Sequence, residues 1–491
     1  MSIRQHHAAW LLATAMSITA CGKGGEPPQV GAAASAGVGD EPFRKSAPPP
    51  GPAPVLKAPV PQLKELANGL QIWAVEKRGL PLVHVEIVTR VGSAADPATL
   101  PGLAGFLAAV MKSGTTTRSA EQIADEVETL GSSLYFAVEE ESMTLGFSAM
   151  RENLEALFAV AADVLLHPAL APDEIERVRR ERLAELARER DDPRSNAARL
   201  FQESLFPAHP YGHTVLGNEA AIKAIDLAAL RAFYQQHLRP NISAAVVVGD
   251  LGVEEMTAAV TRLLAAWEGQ AVVPPPPGAP AASAPALLLV DRPNAPQSQL
   301  SVGHIGVSRD HPDYFNLVML NAILGGLFHS RINMNLREDK KYTYGARSYF
   351  DFRHGPGSFV VATAVRTDAT APAIQEILKE IQTIRSEPVS DEELQAAKNR
   401  YTLSLSGYFQ TVAGIGNMMA NIYLYDLPKD YYQRLPERLA AVTVADVQRV
   451  ANEQLHPDAL SIVVVGDQEA VAAELNALGR GTVRLVDPAA R

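Results

Sequence analysis

Apolar and polar residues alternate in several short segments of the chain, and this alternation is typical of β-strands that bury one face. Residues 82–92, LVHVEIVTRVG, predict a half-buried strand, and LLLVDRPNAPQSQLSVGHIGV predicts a similar start to a second unit from Leu287. The segment SAEQIADEVETLG predicts an amphipathic helix with Ser119 as its N-cap and Gly131 as its end. Residues 405–425 predict an apolar helix in the core or at an interface, with a hydrophobic substrate-binding face as the alternative.

The same order of segments occurs twice, which indicates an internal duplication. HLRPNISAAVVVGD in the first half corresponds to QLHPDALSIVVVGD in the second, and Pro457 lies 217 residues after Pro240. APDEIERVRRERL corresponds to VSDEELQAAKNRYTL, where Asp391 lies 218 residues after Asp173. We therefore predict an α+β protein of two homologous halves, each a sheet with helices packed on one side.

Two stretches of the chain are rich in Pro, Ala and Gly. Such segments offer few apolar side chains to bury and cannot form a core, so we take them as boundaries between folded parts. The first should be a disordered tether, and the second, which contains VVPPPPGAPAASAP, a linker between the halves. These boundaries predict a targeting segment at 1–21, the tether at 22–60, the first domain at 61–268, the linker at 269–286 and the second domain at 287–488.

Composition and charge narrow the class of protein. The 491 residues are 47% hydrophobic and 20% charged, which is typical of a folded protein of more than one domain. The formal net charge of -11 would repel a phosphate backbone, and no basic patch interleaved with aromatic residues counters it. We therefore expect no nucleic-acid partner.

The N-terminus has the pattern of a secretory signal, because Arg4 in a polar leader precedes a short apolar run from Ala8 to Ala20. The run ends in Ile-Thr-Ala-Cys, which resembles the lipobox of bacterial lipoproteins. Cys21 is the single cysteine of the chain and lies where a lipid anchor would attach, and Gly22 after it resembles an outer-membrane sorting signal. These resemblances imply a periplasm-facing lipoprotein of the bacterial cell envelope; an ordinary signal peptide with an incidental cysteine is the alternative.

Several motifs in family-like order resemble the insulinase or pitrilysin family of zinc metallopeptidases, the M16 family. They are GSAADPATLPGLAGFLAAVMKSGTTTRSAEQIADEVETLGSSL from Gly92, HPYGHTVLG from His209 and LREDKKYTYGARS from Leu336. The resemblance covers nearly all of the chain from about Val60 onward. It implies two M16-type halves that close like a clamshell around a peptide.

The zinc-binding motif of the family is missing from this chain. Active members carry His-x-x-Glu-His on the helix, with two zinc ligands on one face and a glutamate that activates the metal-bound water. Aligned on the flanking glycines, those three positions are Gly105, Ala108 and Ala109. The resemblance assigns a third zinc ligand to Glu185 and a second family acid to the position of Val178. One carboxylate will not hold zinc, so Glu185 is a vestigial ligand or part of a solvated, salt-bridged helix face.

No other metal or nucleophile site presents itself in the sequence. His209 and His213 are four residues apart, but Pro210 and Gly212 between them predict a loop, which the family also has without a metal role. There is no Gly-x-Ser-x-Gly elbow and no cysteine placed for nucleophilic catalysis. We therefore expect this chain to bind no cofactor and to be inactive alone.

Arg337 and Tyr344, seven residues apart, match the arginine-tyrosine pair that the second half of this family contributes to the active site. The resemblance implies that the pair reaches across from the half or subunit opposite the zinc. A tyrosine hydroxyl or a guanidinium can stabilise the negative charge that develops on the scissile carbonyl oxygen. A surface cation and a strand-edge tyrosine are the alternative. Gly325 and Gly326 fit either a close approach to a ligand or a structural turn.

The resemblance thus implies a subunit that lacks zinc and supplies Arg337 and Tyr344 to a zinc-bearing M16 partner in a heterodimer. The expected substrate is a peptide or a small unfolded polypeptide. A second hypothesis is an inactive scaffold or peptide-binding protein of the same fold. A third is an autonomous peptidase with an unrecognised metal site.

Overall fold

The computed structural model of the chain describes residues 57–271, 277–281 and 284–487. The predicted targeting segment, Cys21, most of the tether and part of the predicted linker lie outside these residues. Within the described ranges, no helix combines the length and the apolar character that a membrane span requires.

The strands form two six-stranded sheets. The first contains β1 Gln62–Glu65, β2 Gln71–Glu76, β3 Leu82–Thr89, β4 Tyr135–Val138, β5 Met143–Met150 and β6 Ser243–Gly249 in the order β1-β2-β6-β3-β5-β4. The second contains β7 Leu287–Asp291, β8 Gln297–Ile305, β9 Ala346–Phe350, β10 Ser358–Arg366, β11 Ser461–Gly466 and β12 Arg484–Leu485 in the order β12-β7-β11-β8-β10-β9.

Helices connect the strands in both halves. Those of the first half are α1 Leu103–Met111, α2 Ala120–Thr129, α3 Leu154–Leu166, α4 Pro172–Asp191, α5 Pro193–Leu205, α6 Glu219–Ala224, α7 Leu227–His237 and α8 Val253–Leu264. Those of the second half are α9 Tyr314–Asn321, α10 Arg331–Asn333, α11 Thr370–Ser386, α12 Asp391–Tyr408, α13 Val412–Leu424, α14 Tyr431–Ala440, α15 Val444–Gln454 and α16 Gln468–Ala477. Two π-helical turns follow α9 and α10, at Ala322–Gly326 and Met334–Asp339.

The two sheets repeat the same pairing, which confirms the predicted α+β fold of two homologous halves. The parallel pair β2 and β6 corresponds to β7 and β11. The antiparallel neighbours β3 and β5 correspond to β8 and β10. The halves differ at one edge, where β1 is antiparallel to β2 while β12 is parallel to β7.

One helix of each half packs on the sheet of the other half. Helix α5 packs on β8 and β11, and helix α13 packs on β3 and β6. Successive residues of β6 therefore enter different cores: Val247 packs with the helices of its own half, whereas Val246 packs in the cluster that contains Met419 of α13. The period-two alternation of strand side chains places these residues on opposite faces of the sheet.

This exchange corrects two expectations about local structure. Strand β3 is buried along both faces rather than half-buried, because α13 covers the face that carries His84 and Glu86. The apolar stretch 405–425 is not one helix, since α12 ends at Tyr408 and α13 begins at Val412. Its predicted place at an interface is confirmed.

The predicted helix caps are confirmed in α2. The hydroxyl of Ser119 accepts a hydrogen bond from the amide of Gln122 at 3.2 Å, and the Gln122 side chain accepts one from the amide of Ser119 at 2.8 Å. This reciprocal arrangement satisfies two amides that the helix itself leaves unpaired. Gly131 follows the helix in a left-handed conformation with φ of 69°.

Candidate functional site

Helix α1, which carries the three positions aligned with the zinc motif, is tightly held at its start. Gly102 precedes it with φ of 95°, and the carboxylate of Asp96 accepts hydrogen bonds from the amides of Gly102 and Ala104 at 2.7 and 2.8 Å. Burial raises the pKa of Asp96 to about 7 in spite of these donors. The first helical turn therefore has a fixed position in the first core.

Position 105 has no room for a side chain. A β-carbon on Gly105 would lie 2.5 Å from the carbonyl oxygen of Val215 and 2.9 Å from its Cγ1. Val215 belongs to the HPYGHTVLG segment, so the loop after α5 occupies the space that a histidine ligand would need. Ala108 is buried and Ala109 is partly buried in the same core.

An arginine side chain reaches the degenerate zinc motif from α4. Arg182 donates from Nη2 to the carbonyl oxygen of Gly105 at 2.9 Å, and its Nη1 lies 3.0 Å from a carboxylate oxygen of Glu185. The carboxylate assigned as the vestigial ligand is thus neutralised by a cation, and its side chain is 50% exposed. Val178, at the position of the second family acid, is buried in the first core.

The charged run of α4 is a salt-bridged helix surface, as predicted. Arg177 lies 2.7 Å from Glu174 and 2.6 Å from Glu181, one helical turn away on either side. The contact of Arg182 with Gly105 was not predicted, because it joins residues 77 positions apart and leaves no periodic signal in the sequence.

Zinc does not fit these residues. A cation would meet the Arg182 guanidinium, and Gly105 and Ala109, which are aligned with the two histidine ligands, carry no side-chain donor atoms. In the ranges that the structure describes, no group of three or more His, Cys, Asp and Glu residues is placed to hold a metal ion. His209 accepts from the amide of Tyr211 and contacts the carbonyl oxygen of Gly278, while His213 faces the carbonyl oxygen of Thr214.

Tyr344 and Phe328 are exposed to solvent, and Arg337 is partly exposed beside Phe328. Tyr344 is 91% exposed, and Phe328 is 51% exposed. The guanidinium of Arg337 lies over the ring of Phe328, 4.6 Å from its centroid, and 3.2 Å from a carboxylate oxygen of Glu338. A tyrosine and a phenylalanine this exposed bury little apolar surface within the chain, which is typical of a binding surface. Phe328 was not predicted as a site residue.

The segment from Phe328 to Ala346, which contains Arg337 and Tyr344, is held in place by hydrogen bonds and an ion pair. Asn333 accepts from the amide of Ala346 at 2.9 Å and donates to the carbonyl oxygen of Phe328 at 2.6 Å. Arg331 forms a bidentate ion pair with Glu393 of α12, at 2.8 and 2.9 Å. These contacts fix both ends of the segment while leaving Tyr344 projecting.

The neighbouring glycines serve packing within the second half. A β-carbon on Gly325 would lie 2.4 Å from the hydroxyl of Ser348, and one on Gly326 would lie 2.7 Å from the side-chain amide of Asn321. The structural interpretation of this glycine pair is therefore favoured over a close approach to a ligand.

The zinc-motif helix and the arginine-tyrosine pair do not touch. Among the described residues, no hydrogen bond or ion pair joins Arg337 or Tyr344 to α1. The structure brings Arg337 together with Phe328 on the second half, where Tyr344 is exposed, and Gly105 together with Arg182 and Glu185 on the first.

A polar cluster, the inter-half clasp, joins the two halves through Glu140, Glu141, Tyr211, Arg353 and His354. His354 donates to Glu141 from its amide at 3.0 Å and from its ring at 2.9 Å, Tyr211 donates to the same carboxylate, and Arg353 lies 2.8 Å from Glu140. Burial opposes the charge on Glu141, but the hydrogen bonds from His354 and Tyr211 outweigh it and hold the pKa of Glu141 below its usual range. The hydrogen bond to Glu141 raises the pKa of His354.

Comparison with known families divides the chain into two matched regions. Residues 73–219 match the family described as Insulinase (Peptidase family M16), and residues 224–401 match the one described as Peptidase M16 inactive domain. An uncharacterized zinc protease of Mycobacterium bovis is 27% identical over 417 residues, covering 82% of this chain and 93% of that protein.

Solved structures share the fold. A peptidase M16 inactive domain from Pseudomonas fluorescens superposes with a TM-score of 0.78 and 24% identity, covering 83% of this chain and 98% of that one. A chain of complex III2 from Candida albicans gives a TM-score of 0.70 at 16% identity, covering 85% and 99% of the two chains.

Proposed function

The chain belongs to the M16 family of peptidases, and from this premise we propose that it is a non-zinc subunit that completes the active site of a zinc-bearing M16 partner in peptide hydrolysis. One contrast carries the proposal. The position of the first zinc ligand is closed by Val215 and contacted by Arg182, whereas Tyr344 remains exposed and Arg337 partly exposed on an anchored segment.

The proposed chemistry of this chain is electrostatic. Attack on a peptide carbonyl builds negative charge on its oxygen, and the Tyr344 hydroxyl or the Arg337 guanidinium would donate hydrogen bonds to that oxygen or to the neighbouring peptide backbone. Such stabilisation depends on position and charge, so a separate chain can provide it. Activation of water belongs to the partner in this proposal, because α1 here has no metal ligands.

The test mixes the full chain with the zinc-motif M16 protein of the same organism and follows a fluorogenic peptide library. We expect hydrolysis in the mixture and none from this chain alone. Arg337→Ala and Tyr344→Phe should each lower kcat/KM by roughly 10²–10³-fold, the usual loss for one donor to a developing oxyanion. Arg400→Ala, which removes an exposed arginine of α12, is the matched control and should leave the rate unchanged.

Two results would overturn this proposal. If the complex forms and hydrolysis is insensitive to both substitutions, the chain is a scaffold or peptide-binding subunit, the second candidate, which the fold shared with a chain of complex III2 favours. Hydrolysis by this chain alone that a chelator abolishes would require a metal site of its own.

We propose in addition that Cys21 is acylated and that the protein faces the periplasm as an outer-membrane lipoprotein. The support is the lipobox-like Ile-Thr-Ala-Cys and the Gly22 that follows it. Labelled palmitate should enter the wild-type chain and fractionate with outer membranes. Label in Cys21→Ser, or its absence from the wild type, would contradict the anchor.

A further inference from the structure

A cavity of about 380 Å³ lies in the second half, away from Arg337 and Tyr344. Its walls come from the loop before α9, the start of α9, the loop after α13 and helix α14. Most of the lining is apolar or aromatic, including Tyr314, Phe315, Tyr425, Leu427, Pro428 and Tyr431. This volume is within the range of about 300–1,000 Å³ that is typical of pockets for small molecules.

A buried arginine faces this cavity without a counter-ion. Arg309 is 6% exposed, and it forms no ion pair with a carboxylate of the described residues. Its Nη2 donates to the hydroxyl of Tyr431 at 2.8 Å, while its Nε is inaccessible to solvent and has no hydrogen-bond acceptor. A buried charge that lacks a counter-ion destabilises a protein, so an anion in the cavity beside this guanidinium would stabilise it.

Neighbouring rings stabilise the Arg309 cation only in part. The guanidinium lies 3.6 Å from the ring centroid of Tyr314 and 5.4 Å from that of Tyr431. Cation-π contacts of this kind stabilise a cation modestly. They supply no negative charge, because an aromatic face carries a quadrupole and not a net charge.

Arg438 adds a second guanidinium to the lining of the cavity. The other basic residues of the lining are already engaged, because Arg434 pairs with Asp430, His354 pairs with Glu141, and His311 accepts a hydrogen bond from the amide of Asp313. Asp310 is the acidic residue of the lining, and its carboxylate accepts a hydrogen bond from Ser308. Arg309 and Arg438 therefore outnumber the one acidic residue of the lining, in a chain whose formal net charge is -11.

We propose that this cavity binds a small organic carboxylate with an apolar or aromatic body, held by its carboxylate on Arg309. One buried guanidinium neutralises one negative charge, which suits a monocarboxylate, and hydrogen bonds from a guanidinium to a carboxylate are among the strong ones. The aromatic walls would take up the apolar body. The site is separate from the proposed peptidase surface and does not depend on the proposed function.

The test titrates the full chain with 3-phenylpropionate and with its neutral analogue 3-phenylpropionamide, using calorimetry or ligand-observed NMR. We expect the acid to bind and the amide to bind roughly 10-fold more weakly or worse, because a charge-assisted hydrogen bond is lost. Arg309→Met should remove the preference for the acid, whereas Arg400→Ala should retain it. Leu427→Trp fills the cavity and leaves Arg309 in place, so it should weaken the binding of both the acid and the amide. This variant keeps the test decisive if Arg309→Met fails to fold.

A second pair of probes identifies the source of the carboxylate. An N-acetylated tripeptide that ends in phenylalanine is compared with its C-terminal amide. Binding of the peptide acid as well as 3-phenylpropionate indicates the carboxyl end of a peptide, and binding of 3-phenylpropionate alone indicates a free small acid. The proposal is overturned if acids and amides bind equally, if no acid binds saturably, or if Arg309→Met folds and keeps the preference for the acid.

Discussion

At the scale of single residues, one backbone carbonyl determines what position 105 can accept. The oxygen of Val215 lies 2.5 Å from the place that a β-carbon would take, and Arg182 binds the carbonyl oxygen of Gly105 itself. The surroundings of position 105 are therefore closed to a ligand side chain, so more than the identity of three side chains excludes a metal here.

This packing predicts that the zinc motif cannot be restored by its three residues alone. Gly105→His, Ala108→Glu and Ala109→His together should bind no stoichiometric zinc and should destabilise the chain by about 1–3 kcal/mol or more, the usual range for overpacking. Metal content after dialysis and thermal unfolding measure the two effects. Gly105→Ala is the matched control and should already lower the stability, and one tightly bound zinc per chain in the triple variant would refute the prediction.

At the scale of elements, the docking of α13 on the first sheet depends on close contact at Gly416. A β-carbon there would lie 2.6 Å from Cδ2 of His84. Beneath the helix, the ring of His84 contacts Glu86 at 2.9 Å, and Tyr135 donates to the same carboxylate oxygen at 3.0 Å. These groups bond one another through Oε1 of Glu86 inside the seam between the halves, whereas Oε2 of Glu86 is buried without a hydrogen-bond partner.

Gly416→Ala should therefore lower the free energy of unfolding by about 1–3 kcal/mol, because the added methyl group separates α13 from the sheet. Gly407→Ala in α12 is the matched control, since nothing lies within 4 Å of its added β-carbon. It should be neutral or stabilising by about 0.5–1 kcal/mol through helix propensity. Denaturant unfolding compares the two variants, and equal effects would contradict the close contact.

At the scale of the whole molecule, the inter-half clasp makes the union of the halves depend on pH. The pKa of His354 is raised, so His354 adds to the free energy of unfolding fully below its ordinary pKa of 6.5, and this addition is lost as pH rises through the raised pKa. The pKa of Glu141 is lowered, so Glu141 adds to the free energy of unfolding fully above its ordinary pKa of 4.5, and this addition is lost as pH falls through the lowered pKa. The clasp is strongest between pH 4.5 and 6.5.

Glu141→Gln should accordingly lower the stability most within that window, by about 2 kcal/mol, because it removes hydrogen bonds to a charged, largely buried group. Urea unfolding at a series of pH values measures the difference from the wild type, which should shrink at both extremes. Glu254→Gln is the control, since its ion pair with Lys64 is exposed and should contribute little at any pH. A difference that does not vary with pH would contradict the charged clasp.

The sequence by itself determined the local elements and their repetition. The N-cap at Ser119 and the recurring VVVGD strands depend on neighbouring residues and on periodicity, which the chain carries directly. The assignment of Arg337 and Tyr344 as site residues likewise depends on a local sequence motif, and it stays a prediction.

The tertiary structure alone decided which surfaces are buried. The alternation of His84 and Glu86 with apolar neighbours predicted a solvent face, but α13, more than 300 residues later, covers it. The contact of Arg182 with Gly105 and the place of Arg309 in its cavity could not be predicted either. Both depend on segments that are distant from each other in sequence. Periodicity reports that a face is polar, and only the packing of remote elements decides whether water, a partner side chain or a ligand satisfies it.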